Sequence, residues 1–541
     1  MSDIHNLADA VRRAASTAPD APALVVPADA GTAERVITWS ELDARVDAVA
    51  AGLAGLGLPQ DGGAGPRVAI GLPNVPEFAF AFFGALRAGL VAVPVNPGYT
   101  PRELRQQLGD SRAGAIVATP EVAQRVASVR AELPALRHVY LTSDETVDGT
   151  HRFAELSGAD ASAGATASGA TGGEDLAVLV YTSGTAGVPK GAMLSHRALI
   201  ANHRQLAAVE PPIVRPGDVV LLALPLFHAF GLNSGLGAIA WHGACGVLVD
   251  SFDPRATLAV ISRHQVSVLA AVPQMYAAWV AVPDLGERVA SVRLAVSGAA
   301  PLDLAAARRF LEATSKPIFE GYGLTETSPV VATALASPVP KAGSIGRPIP
   351  EVEVRLVSVD GAEIARIGPA GVVFEDDYDY DFDDDAGGVP GTDPGEIVVR
   401  GPNLFSGYWP DGQGGPDSDG WWPTGDVAYA DVDGDLFLVD RLGELIIVSG
   451  FNVYPHEVEL VMAAHPGVAE AAVVPVPDPT TGQAVRAYVV RAAEAAVSEE
   501  QLREHCARNL ARFKWPTVIE FVPELPHTAT GKVVKGALGQ P

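Results

Sequence analysis

Tyr181-Thr-Ser-Gly-Thr-Ala-Gly-Val-Pro-Lys-Gly-Ala-Met-Leu-Ser-His196 is the stretch that decides the fold. It follows an apolar run, Leu176 to Val180, with the length and β-branched content of a buried parallel strand. After it, Ser195 is placed to cap a helix whose apolar positions Leu199, Leu206 and Ala207 recur at helical spacing. Between strand and helix, small residues leave backbone N–H groups open to phosphate oxygens. The Ser183 and Thr185 hydroxyls can add to them, and Lys190 supplies a cation. The segment reads as a cradle for a nucleotide triphosphate.

A Walker A loop needs Gly before its Lys and Ser or Thr after it, but Pro189 and Gly191 hold those places. Strand-like runs at Arg67 to Gly71, Val91 to Val95 and Ala115 to Ala118 alternate with amphipathic helical stretches, which predicts an α/β fold. At 541 residues, 48% hydrophobic and 19% charged, the chain has globular composition and the length for two or more domains. Val219 to Val249 holds no charged residue and exceeds a membrane span, yet Pro225, His228, Asn233, Ser234, His242 and five glycines interrupt it. It reads as strand, loop, helix and strand inside a soluble domain.

The net charge of −26 disfavours nucleic acid or anionic lipid as a partner, so an anionic ligand must find local cations, N–H groups or metal. Eight acids and no base lie between Glu375 and Asp385. Counted from Asp377, the sixth and twelfth places are Phe382 and Gly388, so the EF-hand pattern fails and a solvated insertion is expected. Residues 156–175 are small and polar and read as a mobile loop. Two cysteines supply no disulfide framework; Cys506, spaced i, i+4 with Leu502 and Leu510, and Cys245, in an apolar segment, read as buried thiols. The N-terminus carries early acid and no continuous apolar core, which argues against a signal peptide and for a cytoplasmic location.

Past the strand-like Asp435 to Asp440 the chain builds a smaller unit. Pro455 can start a helix bearing Val458, Val461 and Met462 on one face, Ala471 to Val476 reads as a strand, and Ser498-Glu-Glu-Gln501 is a capping box.

Five further motifs carry chemistry. Gly321-Tyr322-Gly323-Leu324-Thr325-Glu326-Thr327 offers an aromatic face, a hydroxyl for a phosphate oxygen and one carboxylate, which suffices for magnesium beside a nucleotide. Ser297-Gly298-Ala299-Ala300-Pro301 is a small-residue turn that permits close approach. Asp426, in Trp421-Trp422-Pro423-Thr424-Gly425-Asp426, offers two acceptor oxygens, and Arg441 a planar set of donors. Gly450-Phe451-Asn452-Val453-Tyr454-Pro455 precedes the late helix. Pro526-His527-Thr528-Ala529-Thr530-Gly531-Lys532 places a compact cation near the C-terminus.

In order and spacing these segments resemble the adenylate-forming superfamily of acyl-CoA synthetases, peptide-synthetase adenylation domains and luciferases, with the AMP-forming fatty acyl-CoA synthetases nearest. The resemblance covers almost the whole chain. It implies a large N-terminal domain of several subdomains with parallel-rich sheets, residues 1–442, which carries AMP, the acyl substrate and an insertion at about 374–394. A small, mobile α+β domain, residues 443–541, would follow. The implied co-substrates and cofactors are ATP, Mg2+ and coenzyme A. The implied nucleotide and thiol contacts are Thr182, Ser183, Gly184, Thr185, Lys190, Ser297, Gly298, Ala299, Glu320, Gly321, Tyr322, Asp426, Arg441, Gly450 and Phe451. Thr185 and Glu326 would hold the metal, and Lys532, Thr325, Glu326 and His228 would be catalytic.

Two half-reactions are implied: a carboxylate and ATP give acyl-adenylate and pyrophosphate, then a thiol displaces AMP. In this superfamily the small domain rotates between them, and here the usual hinge residue is Gly443, which permits the φ/ψ change. The segment Leu224 to Asn233 contains no Asp to pair an amino acid's ammonium group. An apolar acid is therefore favoured, medium- or long-chain fatty acids ahead of cinnamate-type acids. His228 would shape the pocket and the thiol's approach. The chain ends nine residues after Lys532, so free coenzyme A is the expected acceptor, with a separate carrier protein or release of the adenylate as alternatives. A luciferase-like oxygenase is not supported by adenylation motifs alone. A catalytically silent nucleotide-binding protein should have lost the lysine, and Lys532, Glu326 and Asp426 are all present.

Overall fold

The computed structural model describes residues 4–28, 33–59, 65–145, 147–157, 171–182, 189–358, 360–374, 391–441, 444–449, 451–492, 497–528 and 532–538. It divides into two compact units, the first comprising Met1–Pro338, Ile349–Val352 and Arg400–Gly420, the second Val339–Pro348, Glu353–Val399 and Trp421–Pro541.

The first unit is α/β. One of its sheets runs in the order His151–Arg152, His138–Leu141, Ala115–Ala118, Arg67–Gly71, Val91–Pro94, Leu176–Thr182, Lys190–Ser195. All neighbours are parallel except the last pair. Residues Val68 to Ile70, Ala92 and Val93, Ala115 to Ala118 and Ala177 to Val180 are buried, as expected for strands covered on both faces. A second sheet passes through Val330–Thr333, Ile318–Gly323, Leu294–Ser297, Val268–Ala271, Val219–Leu222, Cys245–Leu248, Pro22–Val26 and Arg35–Thr38. The uncharged segment folds within it as the strand Val219–Leu222, a π-helix Phe230–Gly237, the helix Ala238–His242 and the strand Cys245–Leu248. Among the described residues no helix is long and apolar enough to cross a membrane.

The phosphate-loop segment departs from the expected strand–loop–helix in one respect. Residues Lys190–Ser195 form a strand antiparallel to Leu176–Thr182, pairing Thr182 with Lys190 and Tyr181 with Gly191. The loop therefore joins a hairpin. Ser195 then caps the helix His196–Ala207, its side chain accepting from the Ala198 N–H. Gly191-Ala-Met-Leu194, between Lys190 and Ser195, contains no β-branched or aromatic residue and no polar–apolar alternation, so no period-two pattern marked the second strand.

In the second unit a sheet is ordered Gly371–Phe374, Glu363–Gly368, Glu353–Val357, Gly395–Arg400, Trp421–Ala430, Leu436–Arg441. A further sheet joins Phe451–Val453, Ile446–Val448, Gly482–Arg491 and Val468–Asp478, with Val518–Phe521 parallel to Gly482–Arg491. The helix Pro455–Ala463 buries Val458 and Met462, and Glu499–Asn509 opens on the Ser498–Gln501 capping box. These helices share one core with Ile446, Val473, Val489, Leu502 and Cys506. Cys506 is buried as expected, whereas Cys245 is half-buried rather than fully enclosed; desolvation pushes each thiol up to about 11. The acidic tract, the hinge position Gly443 and most of the 156–175 loop lie outside the described residues.

A different acidic group is well formed. Asp431, Asp433 and Asp435 converge in a tight turn, and the Lys341 ammonium lies 2.5, 2.6 and 3.2 Å from their carboxylates. Lys341, a lysine of the same unit, bridges the three carboxylates and offsets part of their charge, and Arg347 lies 3.9 Å from Asp435.

Candidate active site

In the first unit the phosphate-loop hairpin is anchored at its base. The Tyr181 hydroxyl donates to Asp110 (2.6 Å), and the Trp409 indole N–H donates to the Asp110 carbonyl (3.0 Å). Burial, then the hydrogen bond to Asp110, pushes the Tyr181 phenol above its usual range. A Cβ on Gly191 would meet the Tyr181 ring at 3.2 Å and the Trp409 Cβ at 3.3 Å, so glycine lets the chain pass close to both residues. Thr182 is half-buried and Lys190 exposed, while Ser183, Gly184 and Thr185 lie outside the described residues.

Glu326 sits in a one-turn 3₁₀ helix, Thr325–Thr327, and is 6% exposed. Thr327 closes the turn by accepting from the Leu324 N–H at 3.0 Å, and the Glu326 carbonyl accepts from the Phe405 N–H at 2.9 Å. A Cβ at Gly323 would collide with the Pro329 carbonyl group, which excludes any other residue just before the turn. The Tyr408 hydroxyl donates to Glu326 Oε1 at 2.7 Å, and the same ring carries the Lys190 ammonium 5.0 Å from its centroid. The loop lysine and the predicted metal-binding carboxylate thus meet on one tyrosine. The sequence reading missed it, since nothing in Phe405-Ser-Gly-Tyr-Trp409 signals chemistry by itself.

Ser297 and Glu320 pair in register on neighbouring parallel strands. Ser297 is buried and its hydroxyl has no hydrogen-bond partner among the described residues, which leaves a polar group for a ligand. Glu320 Oε2 accepts from the Leu302 N–H at 3.2 Å; burial pushes its carboxyl up to about 7 against that hydrogen bond. Ala299 adopts a left-handed φ of 71°, and a Cβ on Gly298 would stand 3.2 Å from the Phe230 ring and 3.4 Å from the Gly321 carbonyl. Tyr322 is buried and Thr325 half-buried.

His228 is pushed down to about 4 by burial, so it is neutral at physiological pH. Its Nδ1 accepts from the Phe230 N–H at 3.3 Å, which puts the ring proton on Nε2. Two asparagines fix the surrounding loop. Asn74 donates to the Leu222 and Leu224 carbonyls (3.0 and 2.9 Å) and accepts from the Leu226 N–H (3.0 Å). Asn233, in the π-helix, donates to the Ser328 carbonyl (2.7 Å) and takes the His203 Nε2–H at 2.9 Å. Gly237 is required there, because a Cβ would lie 2.7 Å from Asn233 Oδ1 and 2.8 Å from His203 Nε2.

In the second unit Asp426 lies on Trp421–Ala430 directly across the ladder from Arg441. Asp426 is 7% exposed; its N–H donates to the Thr424 hydroxyl at 3.1 Å, after Gly425 at φ 76°. Asp440 accepts from the His456 N–H (2.6 Å), capping the helix Pro455–Ala463 from another strand. The exposed Phe451 ring stacks on Phe513 with centroids 4.8 Å apart, and Gly450 is outside the described residues. Lys532 is held by reciprocal bonds with Thr528: its N–H donates to the Thr528 hydroxyl (3.1 Å) and its carbonyl accepts from the Thr528 N–H (2.8 Å). Nearby, Lys535 is bound to Glu444 (2.7 Å) and Glu459 (2.8 Å); burial alone would lower its pKa, and the two carboxylates raise it on balance.

A sequence profile of the AMP-binding enzyme family matches residues 11–409, and one of the AMP-binding enzyme C-terminal domain matches residues 457–532. The chain belongs to the AMP-binding enzyme family. This AMP-binding enzyme is 36% identical over 533 residues to a long-chain-fatty-acid–CoA ligase of Escherichia coli O6:H1, covering 93% of this chain and 90% of that protein. It is 34% identical over 546 residues to 4-coumarate–CoA ligase 2 of rice, Oryza sativa subsp. japonica, covering 97% and 90%. The crystal structure of ATP-bound MatB from Rhodopseudomonas palustris superposes with a TM-score of 0.83 at 31% identity, over 98% of each chain. The mixed α/β fold is that of the adenylate-forming enzymes. The AMP-binding enzyme described here is an AMP-forming acid:CoA ligase.

Proposed function

We propose that the acid is a medium- or long-chain fatty acid, activated as acyl-AMP with loss of pyrophosphate and transferred to coenzyme A in the cytoplasm. The observation that carries this reading is the segment 224–233, whose Phe230 ring lies beside Gly298. It contains no carboxylate, and its one titratable ring, His228, is held neutral. A polar or zwitterionic acid would bury an unpaired charge there, at a cost of several kcal/mol, roughly. The relationship to a 4-coumarate ligase supports a second reading, an arylpropenoic acid, because the Phe230 ring beside Gly298 could stack on a planar acid.

In the first half-reaction a carboxylate oxygen forms a bond to the α-phosphorus while the bond to the β-phosphate bridging oxygen breaks. The loop residues Thr182 to Thr185 and Lys190 hold the β- and γ-phosphates as the leaving group. Glu326 fits a magnesium site, since it is a buried carboxylate on a rigid turn with the Thr325 hydroxyl adjacent, and magnesium takes few protein oxygens. Thr185 would be the second protein oxygen. Bound magnesium would supply charge neutralisation on the phosphates. The Ser297–Ala299 turn, Glu320, Gly321 and Tyr322 would frame the adenine, and Asp426 and Arg441 the ribose. Lys532 would place a compact cation where the two anions meet. In the second half-reaction the thiolate attacks the acyl carbonyl and AMP departs. His228 offers Nε2–H as a donor at the acyl group, and Gly450 and Phe451 would line the thiol's approach. The division into residues 1–442 and a mobile 443–541 belongs to the same proposal, supported by the C-terminal-domain match at 457–532.

A panel of carboxylic acids incubated with ATP, Mg2+ and coenzyme A, read by acyl-CoA mass, tests it. Turnover that rises with chain length to medium or long acids is expected. Adenylate without thioester would replace coenzyme A by a carrier protein, and preference for cinnamates would favour the second reading.

A further inference from the structure

Between the phosphate-loop hairpin and the Thr325–Thr327 turn lies a segment that none of the roles above uses. The Ser406 N–H donates to the Met193 carbonyl (2.9 Å), the Met193 N–H to the Gly407 carbonyl (3.0 Å), and the Trp409 N–H to the Gly191 carbonyl (2.8 Å). The Phe405 N–H donates to the Glu326 carbonyl (2.9 Å). Residues 405–409 therefore lace the strand carrying Lys190 to the turn carrying Glu326. Tyr408 is fixed at the middle of this lacing. Its N–H donates to the Gln413 carbonyl (3.0 Å), its carbonyl accepts from the Gly412 N–H (2.8 Å), and its ring meets Phe405 edge-on at 5.0 Å. Gly407, at φ 105°, admits the backbone turn that makes this possible.

The ring so fixed has two polar uses: its hydroxyl donates to Glu326 Oε1 at 2.7 Å and its face carries the Lys190 ammonium at 5.0 Å. A phenol donating to a carboxylate is a charge-assisted hydrogen bond, which fixes the direction in which that carboxylate can bind a cation. A cation on an aromatic face keeps its charge while losing conformational freedom. A flexible lysine and a nearby carboxylate would otherwise be drawn together and cancel.

We infer that Tyr408 is a positioning residue for the triphosphate site: its hydroxyl orients Glu326 and its ring face presents Lys190, so that metal and phosphate meet two preset opposite charges. The inference rests on the assignment of Glu326 and Lys190 to Mg·ATP. Removing the hydroxyl should act on the metal-dependent part of binding, and removing the ring on the phosphate part as well.

The test compares Tyr408→Phe and Tyr408→Leu with the parent by calorimetric titration of ATP, once with Mg2+ and once with EDTA, and by the two half-reactions measured separately. Tyr408→Phe keeps the ring packed on Phe405 and should weaken Mg·ATP binding about tenfold, the scale of one hydrogen bond to a charged group, while metal-free ATP changes less than about twofold. Tyr408→Leu should weaken both forms. KM for Mg·ATP should rise in both, and thioester formation from supplied acyl-adenylate should stay at the parent rate. A Tyr408→Phe variant that binds both forms as the parent does overturns the inference, as does equal loss in both half-reactions, which would mark a merely structural tyrosine. If the parent itself gains nothing from Mg2+, the assignment of Glu326 fails and the inference with it; if the parent gains and the variants match it, the inference alone fails.

Discussion

Replacing Glu320 with Gln should make the protein more stable at alkaline pH and leave it nearly unchanged in acid. The Glu320 carboxyl faces the 298–302 turn, where the Leu302 N–H is its hydrogen-bond donor, and burial lifts its pKa from 4.5 to about 7. Because the folded value lies above the unfolded one, the folded chain holds a proton between pH 4.5 and 7 that the unfolded chain has released. Stability therefore falls as pH rises through that window, and the full penalty is present above pH 7. The gap between the two values corresponds to at most 3 to 4 kcal/mol, roughly. Glutamine keeps an acceptor for the Leu302 N–H and has no proton to lose. Differential scanning calorimetry at one scan rate, from pH 4.5 to 8.5, should show the variant's midpoint a few degrees above the parent's at pH 8, on the order of 1–2 °C per kcal/mol for a unit of this size, with the two converging near pH 4.5. A constant offset across the range, or a variant less stable at pH 8, would refute the account of this buried carboxyl.

Lys532→Ala should slow adenylation by about 10²–10³, the scale of one lost electrostatic contact to the transition state, and leave thioester formation from supplied acyl-adenylate within severalfold; near-normal pyrophosphate exchange would sink the assignment. Gly298→Val should raise KM for long acids well above tenfold while sparing short ones, since its Cβ would already stand 3.2 Å from the Phe230 ring; an unchanged chain-length profile would move the acyl site elsewhere. His196, His203 and His228 are pushed by burial to about 4, 3 and 4. Their folded values lie below the unfolded value near 6.5, so stability should fall as pH drops from about 6.5 to 4, and His203→Gln should remove about one proton from that slope in a pH series of midpoints. Lys341→Met leaves Asp431, Asp433 and Asp435 facing one another. Lys341 depresses the Asp433 pKa through its hydrogen bond, so the variant's deficit in midpoint should be largest above pH 4 and shrink as the carboxylates protonate; a deficit independent of pH would contradict it.

The sequence was most legible where backbone chemistry dictates residue type. The apolar run before Tyr181 became a buried strand, Ser195 a helix cap and Ser498–Gln501 a capping box, because each depends on neighbours a few residues away. The uncharged stretch from Val219 resolved into strand, helix and strand for the same reason, with Pro225 and the glycines marking its breaks. The second hairpin strand was hidden because Lys190 to Ser195 owes its conformation to the ladder with Leu176–Thr182 rather than to its own pattern. Tyr408 was hidden more deeply: it lies 218 positions from Lys190 and 82 from Glu326 in the chain, and only the lacing of 405–409 brings the three together. Asn74 and Asp110 are of the same kind, ordinary polar residues whose roles as a loop pin and a hairpin anchor arise from tertiary contact. The cluster at Asp431 also shows how position outweighs composition. The long acidic tract drew attention in the sequence, but the closely packed carboxylates of the described residues lie in a three-acid turn bridged by Lys341.

The central claim is that the phosphate loop holds a pyrophosphate leaving group, so the nucleotide product is AMP. Purified protein supplied with ATP, Mg2+, coenzyme A and a medium- or long-chain fatty acid, with products resolved by ion-exchange chromatography and mass spectrometry, tests it directly. AMP, pyrophosphate and acyl-CoA in equal amounts are predicted. ADP with inorganic phosphate, or ATP left unconsumed across the whole acid panel, would contradict it.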